Sequence, residues 1–179
     1  MDIRKANIII GKAGGNAKGE SKTFKLSLPT AWMRELGIDD DSRQVELSFD
    51  GEKMVLQKAL ALDEFAKARI SLGHEVWLLK YYNGEILCTE ICSDFSEKSV
   101  RVKNHTDQMI KTAFGKNETP SWDEFMSFLE ERCVPRGREG IREYLETIGI
   151  DEYDPFEIVK KTAGRMAEDD QWIRIEVLA

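Results

Sequence analysis

The order of hydrophobic patterns along the chain predicts an α+β protein built in two parts, a small β-rich unit with one short helix followed by a sheet-and-helix domain. Three observations carry that prediction. Short alternating apolar runs bounded by Gly and Pro fill the first third, and Asn83-Gly84 separates two runs rich in aromatic and β-branched residues. Three capped, helix-periodic segments then precede a last alternating run, "QWIRIEV".

Taken in order, residues 6–10 ("ANIII") read as a strand, and "KTFKLSLP" as a second, half-buried one, with Phe24, Leu26 and Leu28 alternating against polar neighbours. Pro29 suits the first turn of a helix of about two turns carrying Trp32, Met33 and Leu36, which Gly37 can terminate. Val45, Leu47 and Phe49 share a strand face, Asp50-Gly51 turns the chain, and Met54 and Leu56 point inward on the return. Fewer than sixty residues bury only a modest core, so this unit is expected to need a second copy, giving a homodimer.

From Leu60 the organisation changes. "LALDEFAKARISLG" spaces Leu62, Phe65, Ala66 and Ile70 as a helix stopped by Gly73. Asn83-Gly84 is the preferred two-residue hairpin turn, "KSVRVKN" supplies a third strand, and "QWIRIEV" a strand that returns to the sheet. Ser121 and Glu124 have capping-box spacing ahead of Phe125, Phe128, Leu129 and Cys133. A second helix is expected from Arg138 to Ile148, and a third from Asp154-Pro155 with Glu157 at its third position. The expected organisation is residues 1–58, a connecting helix at 59–73 and an α+β domain at 74–179.

Of the 179 residues, 41% are hydrophobic and 33% charged, and no run approaches the ~20 apolar residues of a membrane span. Residues 1–7 lack the apolar core of a signal peptide, and three cysteines without dense spacing fit a reducing compartment, so a soluble cytoplasmic protein is expected. The net charge of -7 divides unevenly: residues 1–58 hold ten Lys and Arg against nine Asp and Glu, and residues 59–179 hold 16 against 24. A basic arm with Lys12, Lys18, Lys22 and Lys25 therefore precedes an acidic body. The arm is the part suited to phosphates.

"TFKLSLPTAWMRELGIDDDSRQVELSFDGEKMVLQKA" resembles the swapped-hairpin domain of AbrB, MazE and SpoVT, with its alternating strand, Leu-Pro step, short helix ending in Leu-Gly-Ile, and Gly-containing hairpin. The resemblance covers about residues 5 to 58. It implies an interleaved homodimer and DNA binding through basic residues on one face, as in transition-state regulators and antitoxins. Two departures stand out: Asp40, Asp41 and Ser42 replace the usual Gly-Asp turn, and the first loop is long. The segment from "FMSFLEERCVPR" to "YDPFEIVKKTAGRMAEDDQWI" is similar to a module of small proteins on Firmicute mobile elements. The overall layout is also similar to that of anti-CRISPR proteins from that setting. This implies a non-enzymatic inhibitor of a type II RNA-guided nuclease, binding the CRISPR effector or its guide RNA. The alternative is an AbrB-like transcription regulator or antitoxin.

"GKAGGNAKG" is not a phosphate loop, because a Walker loop must run into a helix whose amides face the phosphates, whereas Gly14, Gly15 and Gly19 precede a strand. His74 and His105 are far apart, and Cys88 and Cys92, expected to share a strand face, lack zinc spacing, so no metal or cofactor is expected. Cys133 has Arg132 and Arg136 nearby to lower its pKa but no partner base in sequence, and His105 beside Asp107 reads as a surface turn, with an acid-base pair in a cleft as the alternative. The acids form three clusters: Glu130 and Glu131; Asp151, Glu152 and Asp154; and Glu168, Asp169 and Asp170. Each is read either as a solvated or capping group, or as a phosphate mimic for a basic groove on a nucleic-acid enzyme.

Overall fold

Residues 2–12 and 21–179 are described in the structure, a computed structural model, and the chain divides into two units, Met1–Ala59 and Leu60–Ala179. In the first, β1 (Ile9–Lys12) and β2 (Lys22–Lys25) form an antiparallel ribbon, α1 (Thr30–Glu35) follows, and β3 (Val45–Phe49) pairs with β4 (Met54–Lys58). Pro29 stands one residue ahead of α1 as its N-cap, and Gly37 leaves the helix at φ 68°. The Asp39 carboxylate accepts the amides of Asp41 and Ser42 at 3.0 and 2.8 Å, and Asp50 those of Glu52 and Lys53 at 3.0 and 2.9 Å. Both turns are thus closed by their own side chains.

None of the described residues of this first unit is buried. The register places Leu47 opposite Leu56 and Phe49 opposite Met54 on one face, as the alternation predicts, yet Phe24 is 65% exposed and Phe49 69%. The expected half-burial of Phe24 and Leu26 is therefore corrected. Among its described residues, this unit's two separate two-stranded ribbons and six-residue helix leave these faces exposed.

The second unit contains α2 (Leu62–Ser71), β5 (Val76–Asn83), β6 (Ile86–Asp94), β7 (Ser99–Asn104), α3 (Trp122–Glu131), α4 (Ile141–Ile148), α5 (Pro155–Thr162) and β8 (Gln171–Val177). Together with the first unit this is an α+β fold. The four strands form an antiparallel sheet in the order β7-β6-β5-β8, so the last run of the chain does return beside β5. Asn83 pairs with Ile86, which moves the hairpin turn one residue on, to Gly84-Glu85, with Gly84 at φ 59°. The caps of α3 form as expected: Ser121 Oγ accepts the Glu124 amide at 3.2 Å and Glu124 accepts the Ser121 amide at 2.7 Å. Asp154 likewise caps α5 through the Glu157 amide at 3.0 Å. Helix α4 begins at Ile141, after a left-handed Gly140, rather than at Arg138.

One sheet face carries the main core, where Leu79, Ile91, Val100 and Ile173 meet Phe125, Leu129, Ile158 and Val159. Against the other face α2 packs Phe65 and Ala66 on Val76 and Cys92, so the helix expected as a connector belongs to the second unit. Asp94 secures it. That carboxylate has no exposed surface, lies 2.8 Å from His74 Nδ1 and 3.5 Å from Arg69 Nε, and accepts the amides of Ser96 and Glu97 at 2.9 and 3.2 Å. A register shift opposite Tyr81 and Tyr82 sends Cys88 into the main core while Cys92 joins α2. The two cysteines therefore do not share a face, because a β-bulge breaks the alternation.

Arg132, at the C-terminus of α3, is buried among apolar neighbours with every donor directed at a partner. Nη1 and Nη2 reach the two Asp169 oxygens at 2.6 and 2.9 Å, Nε donates to the Gly164 carbonyl at 3.0 Å, and further bonds go to the Gln171 side chain and carbonyl at 3.1 and 3.0 Å. The Tyr81 hydroxyl donates to the same Gln171 side chain. Replacing Arg132 with Met strands these acceptors, and we expect a loss of about 3 kcal/mol or more of unfolding free energy, measured by denaturant titration with near-UV circular dichroism. The Arg132 hydrogen bonds hold the Asp169 carboxyl below its ordinary range. Its stabilisation is complete above the unfolded carboxylate value of about 3.9 and disappears as pH falls through the lower folded value. Asp169→Asn should remove that part of the acid dependence, and an unaltered acid profile in the variant would contradict the pairing.

Candidate functional site

The basic arm becomes a ribbon with two different faces. Lys12 stands directly opposite Lys22, and Ile10 opposite Phe24, so alternation puts these four on one face. Lys25 pairs across from Ile9 on the reverse face, and Lys18 lies outside the described residues. At Gly11 the strands approach closely, since a Cβ there would meet Thr23 Oγ1 at 3.2 Å. Two like charges directly across a ladder repel. The arrangement is stabilised when an anion such as a phosphate lies between them.

The acids separate by what they already do. Asp169 is the internal ligand of Arg132, and Asp154 caps α5. Glu130 lies 3.7 Å from Arg136 in an exposed ion pair. Glu131, Asp151, Glu152, Glu168 and Asp170 are exposed and, among the described residues, have no side-chain hydrogen bond or ion pair. The three clusters of the sequence thus reduce to five uncommitted carboxylates. In the first unit Asp39 shapes its own turn and Asp40 sits 3.7 Å from Arg43.

His105 pairs with Glu90 at 2.8 Å rather than with Asp107, because β7 lies beside β6 and delivers the imidazole to a neighbouring strand. Among the described residues no group of three or more His, Cys, Asp or Glu is placed to hold a metal. Cys133 is buried, and its pKa is pushed up to about 12 by desolvation, with the acids Glu130 and Asp154 adding to the effect and Arg132 opposing it weakly. The lowering by Arg132 is outweighed by burial, and that guanidinium is committed to Asp169 and Gln171. Cys92 is likewise pushed up to about 12 by burial.

Two arrangements went unread in the sequence. Arg132 lies seven residues after Phe125, on the apolar stripe of α3, and a charge on a core stripe is the signal that reveals it. Tyr82 and Trp172 are 90 residues apart, and only the β5–β8 register brings their rings together. Comparison of the chain with protein-family models, with curated proteins and with solved structures gives no match. The residues alone therefore bear on function.

All three thiols are buried. A thiol-exchange reagent at pH 8 should label none of them in the native protein and all three in denaturant, and rapid native labelling of Cys133 would revive a nucleophilic reading.

Proposed function

We propose that the chain is a homodimeric, non-enzymatic, AbrB-like nucleic-acid-binding protein of the cytoplasm, whose β1–β2 ribbon contacts DNA phosphates as a transcription regulator or antitoxin does. The observation that carries this reading is the opposition of Lys12 and Lys22 on one ribbon face. Support for the dimer comes from the exposed apolar faces of both hairpins, where burying each large side chain contributes about 1.5–3 kcal/mol. The element order strand, strand, short helix, hairpin matches what the resemblance implies. A two-stranded ribbon also fits the major groove of duplex DNA.

A second reading is favoured by a separate observation, the five uncommitted carboxylates of the second unit, on a segment with 16 basic against 24 acidic residues. In this reading the chain inhibits a type II RNA-guided nuclease by presenting acids to its positively charged channel. Among the described residues no helix is long and apolar enough to cross a membrane, which is compatible with either role.

Sedimentation should show a dimer that Phe24→Glu with Leu47→Glu converts to monomer. A gel-shift on the DNA upstream of the coding sequence should show binding that weakens steeply with salt. Lys12→Gln with Lys22→Gln should flatten the salt slope by about 0.9 for each phosphate that a lysine no longer neutralises. If no shift appears at low salt while a matched type II nuclease loses cleavage in excess protein, the second reading replaces the first.

A further inference from the structure

The sheet face opposite α3 and α5 is covered by α2 only at the end near Val76 and Cys92. At its other end Tyr82 on β5 and Trp172 on β8 are direct cross-strand neighbours, with rings nearly parallel at 8° and centroids 4.4 Å apart. Trp172 Nε1 donates to the Gly84 carbonyl at 2.7 Å, which fixes the indole, and the Arg165 guanidinium lies over the same ring at 4.9 Å. The aromatic pairs of the main core, by contrast, are tilted or edge-to-face. Only this half-exposed pair is stacked among the described residues.

Next to the stack, Lys80 and Arg174 stand opposite each other and share one carboxylate, Glu176, at 3.2 and 3.0 Å. Glu90 faces Lys80 from β6 and is met by Lys103 across β7 and by His105 at 2.8 Å, so three cations, Lys80, Lys103 and Arg174, stand against two carboxylates, and Arg165 has no carboxylate partner among the described residues. The acidic second unit thus has a local cationic surface beside stacked rings. Unpaired bases supply the matching chemistry, a π-face for the stack and a phosphate for each cation; bases in a duplex present no face.

We propose that this open end of the sheet binds single-stranded nucleic acid, with a base extending the Tyr82, Trp172 and Arg165 stack and the flanking phosphates on Arg174 and Lys80. The site lies in the second unit and does not rest on the Lys12–Lys22 ribbon. RNA and DNA strands share the chemistry.

The test uses the full chain and fluorescein-labelled dodecamers of uridine and of deoxythymidine, read by anisotropy at low salt. The wild type should bind at least one of the two. Tyr82→Leu, which removes the ring, and Arg165→Gln with Arg174→Gln, which removes exposed cations, should each weaken binding about tenfold without changing the melting temperature. Lys67→Gln with Lys116→Gln, which removes two exposed cations away from either surface, should bind as the wild type does. The proposal is overturned if neither strand binds, if the Arg165/Arg174 variant binds as tightly as the wild type, or if a duplex of the same length competes equally. If Tyr82→Leu melts early, the Arg165/Arg174 variant, confined to exposed side chains, decides the outcome.

Discussion

The second unit depends on one buried cation. Arg132 reaches the turn after α5 through the Gly164 carbonyl, the approach to β8 through Asp169, β8 itself through Gln171, and through Gln171 the Tyr81 hydroxyl of β5. A charge in an apolar interior is tolerated only when all of its donors are matched, so these elements must arrive together or not at all. Gly164 is part of that requirement. Its φ is 58°, and a Cβ there would sit 3.2 Å from Arg132 Cβ, so both the backbone angle and the space demand glycine. Burial of the same region pushes the Tyr81 hydroxyl up to about 12, which keeps it a donor to Gln171 at any ordinary pH.

The two units solve the problem of covering apolar surface in opposite ways. In the second, helices seal one sheet face and α2 seals part of the other, leaving a charged and aromatic remainder. In the first, the alternation is just as regular, yet Leu47, Phe49 and Met54 stay exposed in a single chain. Regular patterning without a buried residue among those described is what supports the proposed dimer. The lysine-bearing ribbon belongs to this unit, so in the proposed dimer its presentation depends on how the apolar faces are covered.

Features set by local chemistry were legible in the sequence. The Ser121–Glu124 box and the Asp154 cap form where the spacing puts them, because capping involves residues three apart. The α+β class and the return of "QWIRIEV" to the sheet followed from hydrophobic period. Within the sheet, what failed depended on register. The hairpin turned one residue late, and a bulge parted Cys88 from Cys92. A slip of one residue reverses every side chain of a strand, and no single-strand pattern records which neighbour sets it. The acids could not be sorted for a related reason, since Asp169 differs from Asp170 only in where Arg132 arrives from.

A smaller feature has a protective effect. Ala163 adopts φ 57°, a left-handed conformation that costs a non-glycine residue about 1–2 kcal/mol. Its carbonyl accepts the amide of Ile173 at 2.8 Å. Ile173 lies on β8, the last strand of the sheet, and that amide is bound to Ala163 rather than to β5. An open strand edge is a template on which a foreign strand can add and begin an aggregate. By turning its carbonyl onto Ile173, the strained Ala163 closes the start of that edge, so the cost of the strain is offset by resistance to sheet growth.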